Sequence, residues 1–407
     1  MITIYLLPAL YGDSILLDIT QSRDQVNTNI LVDCGFNFSS QILPLLKEYN
    51  ENGKVIDRFI VTHYDDDHIR SAAKFINQNG VANNPNIIPI KQVWLNAYRH
   101  IQFDKQKQPT ADEKQSQLLE NFMNVHSPAN IGNDSEIGAK QASKLGKELY
   151  EGKYPWNEDF GKMAVCIENN NTIPIKENIT LRLLGPNKLQ LEALGRDFIA
   201  GLKEMGIEPS EMEFMDDAFE LYSRSESKKN NKSSEGPING AAIERITIDI
   251  INYLSENSDY KPDSAPGNGS SIAFVLEADN KKILMLADAH AEPIIEQLKI
   301  LYPDQSTIFF DAVKIAHHGS IFNNPKALFD LIDSPVYMIS TNGSHPSHVH
   351  PDLQTLAFII NRPLRGDIKC RKLVFNYYPA HLTELFDVKL SNHFNYSAEV
   401  SNLIQFP

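Results

Sequence analysis

The sequence predicts a layered α/β sandwich. Short apolar strand patterns alternate with helical ones in two separate stretches. A long, charged, helix-rich stretch divides them. Histidines and aspartates collect where strands end and helices begin.

Residues 2–7, 14–19 and 29–33 read as strands between turn residues. Residues 40–50 read as a helix, because Ile42, Leu45, Leu46 and Tyr49 recur at helical spacing. Pro44 fits only near the start of that helix. Residues 58–62 form a buried-type strand that runs straight into His63-Tyr64-Asp65-Asp66-Asp67-His68. Ile69, Ala72, Ala73 and Ile76 then resume helical spacing up to Gly80. After a strand at 92–97 the chain turns helical and charged, with helices expected over 111–122 and 135–150. A strand follows at 178–184, and residues 223–240 are polar and low in complexity, as in a linker. The β pattern resumes at 271–278 and 282–287. Beyond it lie a helix carrying Ile294, Ile295 and Leu298, a strand at 312–316, a helix at 326–332 and a strand at 336–341. The expected division is a first half of the core (1–99), a helical and partly flexible insertion (100–265) that returns to the core near 177–190, and a second half with C-terminal elements (266–407).

With 407 residues, 42% of them apolar, the chain can bury a sizeable core. No apolar run approaches the ~20 residues that span a bilayer. The apolar N-terminus has no basic leader and breaks at Gly12-Asp13, so it reads as strands and a turn. Cys34, Cys166 and Cys370 are far apart and form no CxxC pair, which disfavours a disulfide framework and points to the reducing cytoplasm. A net charge of -14 argues against a broad phosphate-gripping face. Basic material is local: Lys105, Lys107, Lys203, Lys228, Lys229, Lys232 and the 365–372 run.

The strongest chemical signal is His63-x-Asp65-x-Asp67-His68. Imidazole and carboxylate are the usual ligands of catalytic zinc and its harder relatives. Alternate residues of a tight strand-to-helix turn converge on one point, and His68 in the first helical turn can fold back onto it. Three consecutive carboxylates would repel one another without a cation. A solvated acidic helix cap would explain the aspartates but not both flanking histidines. Asp288 stands at a later strand end, followed by His290. His317-His318-Gly319-Ser320 follows another strand, and His345, His348 and His350 follow a third. Eight of the twelve histidines therefore lie in or beside four strand ends, which scattered surface histidines would not do. Taken singly, His290, His345 and His348 read as surface residues or supports behind the ligands, and Lys314 as an ordinary strand residue.

On these residues the chain resembles the metallo-β-lactamase superfamily. It is most similar to the branch represented by the soluble hydrolase domain of the competence protein ComEC, which has H-x-D-x-D-H in place of H-x-H-x-D-H. The matching segments are Gly12-Asp13-Ser14, 31–35 with Asp33, His63 to His68, Asp288, His317 to Ser320 and His350-Pro351. They fall in order over 1–99 and about 265–355. Arg70 and Ser71 stand where that family has small residues, and Asn268 enters a hairpin where the superfamily has a further histidine.

The resemblance implies a four-layer αββα sandwich of the metallo-β-lactamase type with a helical insertion. It implies one or two divalent metal ions, zinc or manganese. One would be held by His63 and Asp65 and the other by Asp67 and His68, with Asp288 between them and His317 or His350 completing the second. Asp67, His317 and His318 are the candidate catalytic residues, with His317 or His318 as general acid. Asp13, Asp33, Asn268, Ser320, His345 and His348 are candidates for support. The implied activity is phosphodiester hydrolysis, with nucleic acid as a candidate substrate. The alternatives are hydrolysis of a small ester, lactone or phosphoester, and a non-catalytic binding module. The sequence specifies no protein partner or oligomeric state.

Overall fold

The computed structural model describes residues 1–21, 27–102, 144–204, 212–230, 245–257, 260–345 and 348–407. Within them the expected four-layer αββα sandwich is present.

The first sheet contains β1 (Ile2–Leu6), β2 (Ile15–Thr20), β3 (Asn27–Val32), β4 (Arg58–Ile60), β7 (Val93–Trp94) and β18 (Leu403–Phe406). Its strand order is β18-β1-β2-β3-β4-β7. The second sheet contains β8 (Thr172–Lys176), β9 (Ile179–Gly185), β10 (Ala273–Ala278), β11 (Lys281–Met285), β13 (Ala312–Lys314), β15 (Val336–Ile339), β16 (Arg371–Phe375) and β17 (Tyr396–Val400). Its order is β17-β16-β15-β13-β11-β10-β9-β8. Two small pairs stand apart: β5 (Gly80–Val81) with β6 (Asn84–Pro85), and β12 (Ile308–Phe309) with β14 (Ile332–Asp333).

Strand alternation explains the layering. Ile4, Leu17, Ile30 and Ile60 of the first sheet meet Leu181, Phe274, Leu276, Met285 and Met338 of the second in a shared central core. Leu16 and Leu31 point the other way, into a core roofed by helices α1 (Leu43–Glu51), α3 (Ala72–Asn79), α4 (Leu145–Glu151), α5 (Lys188–Glu204) and α6 (Met212–Asn230). The short α2 (Asp66–Ile69) lies between α1 and α3. On the far face of the second sheet, Val275, Leu284 and Val313 pack under α7 (Ile248–Glu256), α9 (Ala291–Leu301), α10 (Lys326–Leu331), α11 (Leu353–Ile360) and α12 (Val388–Phe394). A single turn, α8 (Pro266–Gly269), precedes β10. Both faces of each sheet are covered, which is why the strands read as nearly continuous apolar runs.

The strands β3, β4 and β7 are parallel, as are β11, β13, β15, β16 and β17. Their C-terminal ends carry the His/Asp segments, at the edge where α/β sheets bind ligands.

Residues 223–230, expected to start a linker, instead complete α6, with Ser223 and Arg224 buried; 231–240 lie outside the described residues. The helix expected over 111–122 also lies outside them, and the described part of 135–150 begins α4. Helix α11 was not visible in the pattern because it is apolar nearly all round and buried at every position. Among the described residues no helix is long and apolar enough to cross a membrane.

Candidate metal centre

The run after β4 reaches its conformation by close backbone approach. The Asp67 carbonyl accepts from the Asp13 amide at 3.0 Å, and the His68 carbonyl accepts from the Cys34 amide at 2.9 Å. A Cβ on Gly12 or Gly35 would sit 2.0 or 2.1 Å from the Asp67 carbonyl oxygen. Glycine is therefore required in both Gly12-Asp13-Ser14 and Asp33-Cys34-Gly35. Asp65 occupies the N-cap position of α2 but makes no side-chain capping bond. Its carboxylate is thus not explained as a helix cap.

The aspartates separate by direction. Asp66 points into α6, where Arg224 Nε donates to Asp66 Oδ1 at 2.7 Å and Arg70 pairs with Oδ2 at 3.2 Å. Asp65 and Asp67 turn the other way, towards Asp288. His63 Nε2 is 3.8 Å from both Asp65 Oδ2 and Asp288 Oδ2. His68 Nε2 is 3.3 Å from Asp288 Oδ1 and 3.9 Å from Asp67 Oδ2. His317 Nε2 is 3.6 Å from Asp288 Oδ2, and His318 Nε2 is 3.0 Å from Asp67 Oδ2.

The outer ring nitrogens fix which protons face inward. Thr62 Oγ1 donates to Asp33 Oδ2 at 2.9 Å, so at 3.0 Å it accepts from His63 Nδ1. His68 Nδ1 donates to Asp33 Oδ2 at 2.7 Å, His317 Nδ1 to Asn323 Oδ1 at 2.8 Å and His318 Nδ1 to the Ser340 carbonyl at 2.7 Å. With Nδ1 engaged, each ring turns its Nε2 towards a carboxylate oxygen. His63 presents a lone pair, whereas burial would lower His68 and His317 but the Asp288 carboxylate raises both. Lone pair against carboxylate is repulsive unless a cation sits between them. Consistent with that, His63 Nε2, His68 Nε2 and both oxygens of Asp288 are buried without a hydrogen-bond partner. His63, His68 and Asp288 form one donor set, and Asp67, His68 and His318 a second, each within 4.8 Å. The residues present fit a divalent ion held by nitrogen and oxygen.

The electrostatics agree. Burial pushes the His63 imidazole down to about 3, leaving it neutral. Burial, reinforced by Asp67 and Asp288, pushes the Asp65 carboxyl up to about 8. Burial would also raise Asp288, but the His68, His317 and His318 imidazoles hold it well below the usual range.

The remaining predicted residues are placed as follows. Asp13 is buried, with Oδ2 2.8 Å from Lys314 Nζ and Oδ1 3.6 Å from His318 Nδ1. Lys314 is fully buried by that pair, so it is not an ordinary strand residue. Asn268 donates to Asp263 Oδ2 at 2.6 Å and lies 3.5 Å from His317 Nδ1. His290 Nε2 meets the Ala265 carbonyl at 3.0 Å, supporting the same turn. Ser320 donates its amide to the His317 carbonyl at 2.8 Å. His350 does not join Asp67 and His68; it stands with His317 and His348 in a separate group, and His345 stacks on His348 at 3.9 Å between centroids.

Sequence reasoning missed Arg224, Asp263 and Asn323. An Arg224→Ala variant removes the 2.7 Å partner of Asp66 Oδ1 and strips the buried Glu220 of its 3.5 Å partner. A loss of about 3 kcal/mol is expected in urea unfolding, with partial recovery in Arg224→Lys. An unchanged midpoint for Arg224→Ala would show that the clamp contributes nothing.

Residues 9–85 match the model of the metallo-beta-lactamase superfamily. That span contains Gly12, Asp33, Gly35 and the whole His63–His68 run. The αββα sandwich of the described residues is consistent with the metallo-beta-lactamase fold. Solved structures that align with the chain include two of low identity. One is the metallo-beta-lactamase fold protein YhfI from Bacillus subtilis, at 8% identity, covering 100% of both chains with a TM-score of 0.35. The other is a mutant of the CmlA beta-hydroxylase, at 9% identity, covering 100% of this chain and 54% of that one with a TM-score of 0.31. No curated protein matches the chain in sequence.

Proposed function

We propose that this protein is a metal-dependent hydrolase acting on phosphodiesters, with nucleic acid as its substrate class, in the manner of the ComEC hydrolase domain. The superfamily matched by residues 9–85 consists mostly of metal-dependent hydrolases. The observation that carries the reading is the pair of unpartnered, inward-facing Nε2 atoms of His63 and His68 around the unpartnered Asp288 carboxylate. Divalent ions bound there would supply Lewis acidity and a nucleophile at neutral pH. The chain's own residues do the rest. His63, Asp65, Asp67, His68, Asp288 and His318 hold and orient. Asp33 fixes the Thr62 and His68 protons. His317, braced by Asn323, holds its Nε2 3.6 Å from Asp288 Oδ2. The oxygen-rich donor set suits manganese as well as zinc.

One observation favours a small ester, lactone or phosphoester instead. Basic residues are committed internally: Arg70 and Arg224 to Asp66, and Arg371, within the basic 365–372 run, to Asp333.

The test is cleavage of plasmid, single-stranded oligonucleotide and bis(p-nitrophenyl) phosphate with added Mn²⁺ or Zn²⁺, beside p-nitrophenyl acetate. Phosphodiester turnover that disappears in Asp67→Ala is expected. Turnover of the carboxylic ester alone would move the assignment to the second reading. No bound metal, with no turnover, would leave a binding module.

A further inference from the structure

Beyond the carboxylate-rich centre, we propose a separate all-nitrogen metal site formed by His317, His348 and His350, suited to zinc or a neighbouring late first-row divalent ion.

The three histidines come from two loops at the C-terminal edge of the second sheet. His317 follows β13, and His348 and His350 follow β15. Each offers one ring nitrogen, and the three atoms lie within 4.8 Å of one another. Ring centroids are 4.4 Å apart for His348 and His350, 5.4 Å for His317 and His350, and 6.2 Å for His317 and His348. Tetrahedral zinc holds nitrogen at about 2.0–2.1 Å, so its donors stand about 3.4 Å apart. Small ring rotations close that difference.

The site is built rather than incidental. His348 is 9% and His350 7% exposed, and the Nδ1 atom of each is buried without a hydrogen-bond partner. Two polar imidazoles withheld from water and left unpaired cost stability unless something binds them. Neighbouring side chains also position the rings. The Asn323 side chain fixes His317 Nδ1 at 2.8 Å. Asp352 Oδ2 stands 3.6 Å from His350 Nδ1, beyond hydrogen-bond reach, held there by the Ile321 amide at 2.8 Å. His345 stacks flat on His348. A carboxylate or amide oxygen behind an imidazole is how ligating histidines are oriented.

Chemistry separates this site from its neighbour. Three imidazoles without a carboxylate favour zinc, copper or nickel, whereas the Asp65, Asp67 and Asp288 centre accepts harder ions. The two are adjacent, because His317 Nε2 is 3.6 Å from Asp288 Oδ2. An ion on the three histidines would therefore place positive charge next to Asp288.

The test counts metal, not turnover. Full-length protein is stripped with chelator and titrated with Zn²⁺ and separately with Mn²⁺. Bound metal is measured by mass spectrometry, and Co²⁺ absorption reports ligand type. His348→Ala is expected to lose about one equivalent of zinc and one Co²⁺ component, with manganese uptake unchanged. Asp67→Ala is expected to keep that equivalent and lose manganese. His348→Gln, which keeps bulk and polarity, reads the same way if the alanine variant does not fold. A zinc isotherm for both His348 variants identical to that of wild type would overturn the proposal. So would loss of the same equivalent in Asp67→Ala, because the two sites would then be one. If the nuclease reading fails in the turnover assay, this metal count still stands or falls by itself.

Discussion

Asp288→Asn is expected to abolish metal-dependent hydrolysis while leaving the sandwich folded, with kcat falling roughly 10³-fold or more. Asp288 is fully buried, and neither carboxylate oxygen has a hydrogen-bond partner. His68, His317 and His63 surround it at 3.3, 3.6 and 3.8 Å. Asparagine keeps the size and shape, so packing around Leu286 and Ala289 is preserved. It removes one negative charge from the His63, His68 and Asp288 donor set, which shares His68 with the other set. The measurements are initial rates with Mn²⁺ and Zn²⁺, bound metal per chain, and circular dichroism to verify the fold. A variant with full metal content and an undiminished rate would remove Asp288 from the site.

Gly12→Ala is expected to cost about 3 kcal/mol or more, and to remove metal binding with it. The added methyl would stand 2.0 Å from the Asp67 carbonyl oxygen and 2.9 Å from its Cα. Both contacts are backbone, so no rotamer change relieves them. The segment that must give way is the one presenting Asp65, Asp67 and His68. Its movement is constrained, because Asp13 N is bonded to the same carbonyl at 3.0 Å and Ser340 Oγ donates to the Gly12 carbonyl at 2.9 Å. Gly195→Ala is the control. It lies inside α5, and a methyl there would come no closer than 3.4 Å to Ile101 Cδ1. In a helix interior alanine is favoured over glycine by up to about 1 kcal/mol, so this variant should be neutral or stabilised. Urea unfolding and metal content of the two alanine variants decide the matter. Equal midpoints would mean that the close approach at Gly12 is not required.

The parts of the site that could be read from sequence are those whose chemistry is concentrated locally. His63–His68 packs two histidines and three aspartates into one turn, a density of ligand atoms that a helix cap does not need. The apolar strands before Asp288 and His317 mark where those residues emerge. What could not be read depends on partners distant in the chain. Arg224 sits in a polar, serine- and lysine-rich stretch that looks like a linker; its burial follows from Asp66, 158 residues earlier. Lys314 looked like a charged interruption of a strand and proved to be the buried counter-ion of Asp13. Arg371 likewise obscured β16, since its charge breaks the apolar pattern and its partner Asp333 belongs to another element. Periodicity registers apolar faces and has no signal for a buried cation whose carboxylate arrives from elsewhere. The fold was legible for the opposite reason. The apolar runs of β1, β2, β3, β10 and β11 mark buried strands without reference to any other segment.

The donors of the carboxylate-rich centre are divided between the two sheets. His63, Asp65, Asp67 and His68 hang from the first; Asp288, His317 and His318 hang from the second. Cross-sheet polar ties already flank the site, from Lys314 to Asp13 and from the Ile272 amide to the Thr62 carbonyl at 3.1 Å. An ion there would act as a rivet through both plates of the sandwich. Sliding one plate over the other would pull the ligands apart before it broke any bond within a sheet, so metal affinity becomes a gauge of how well the two layers are aligned.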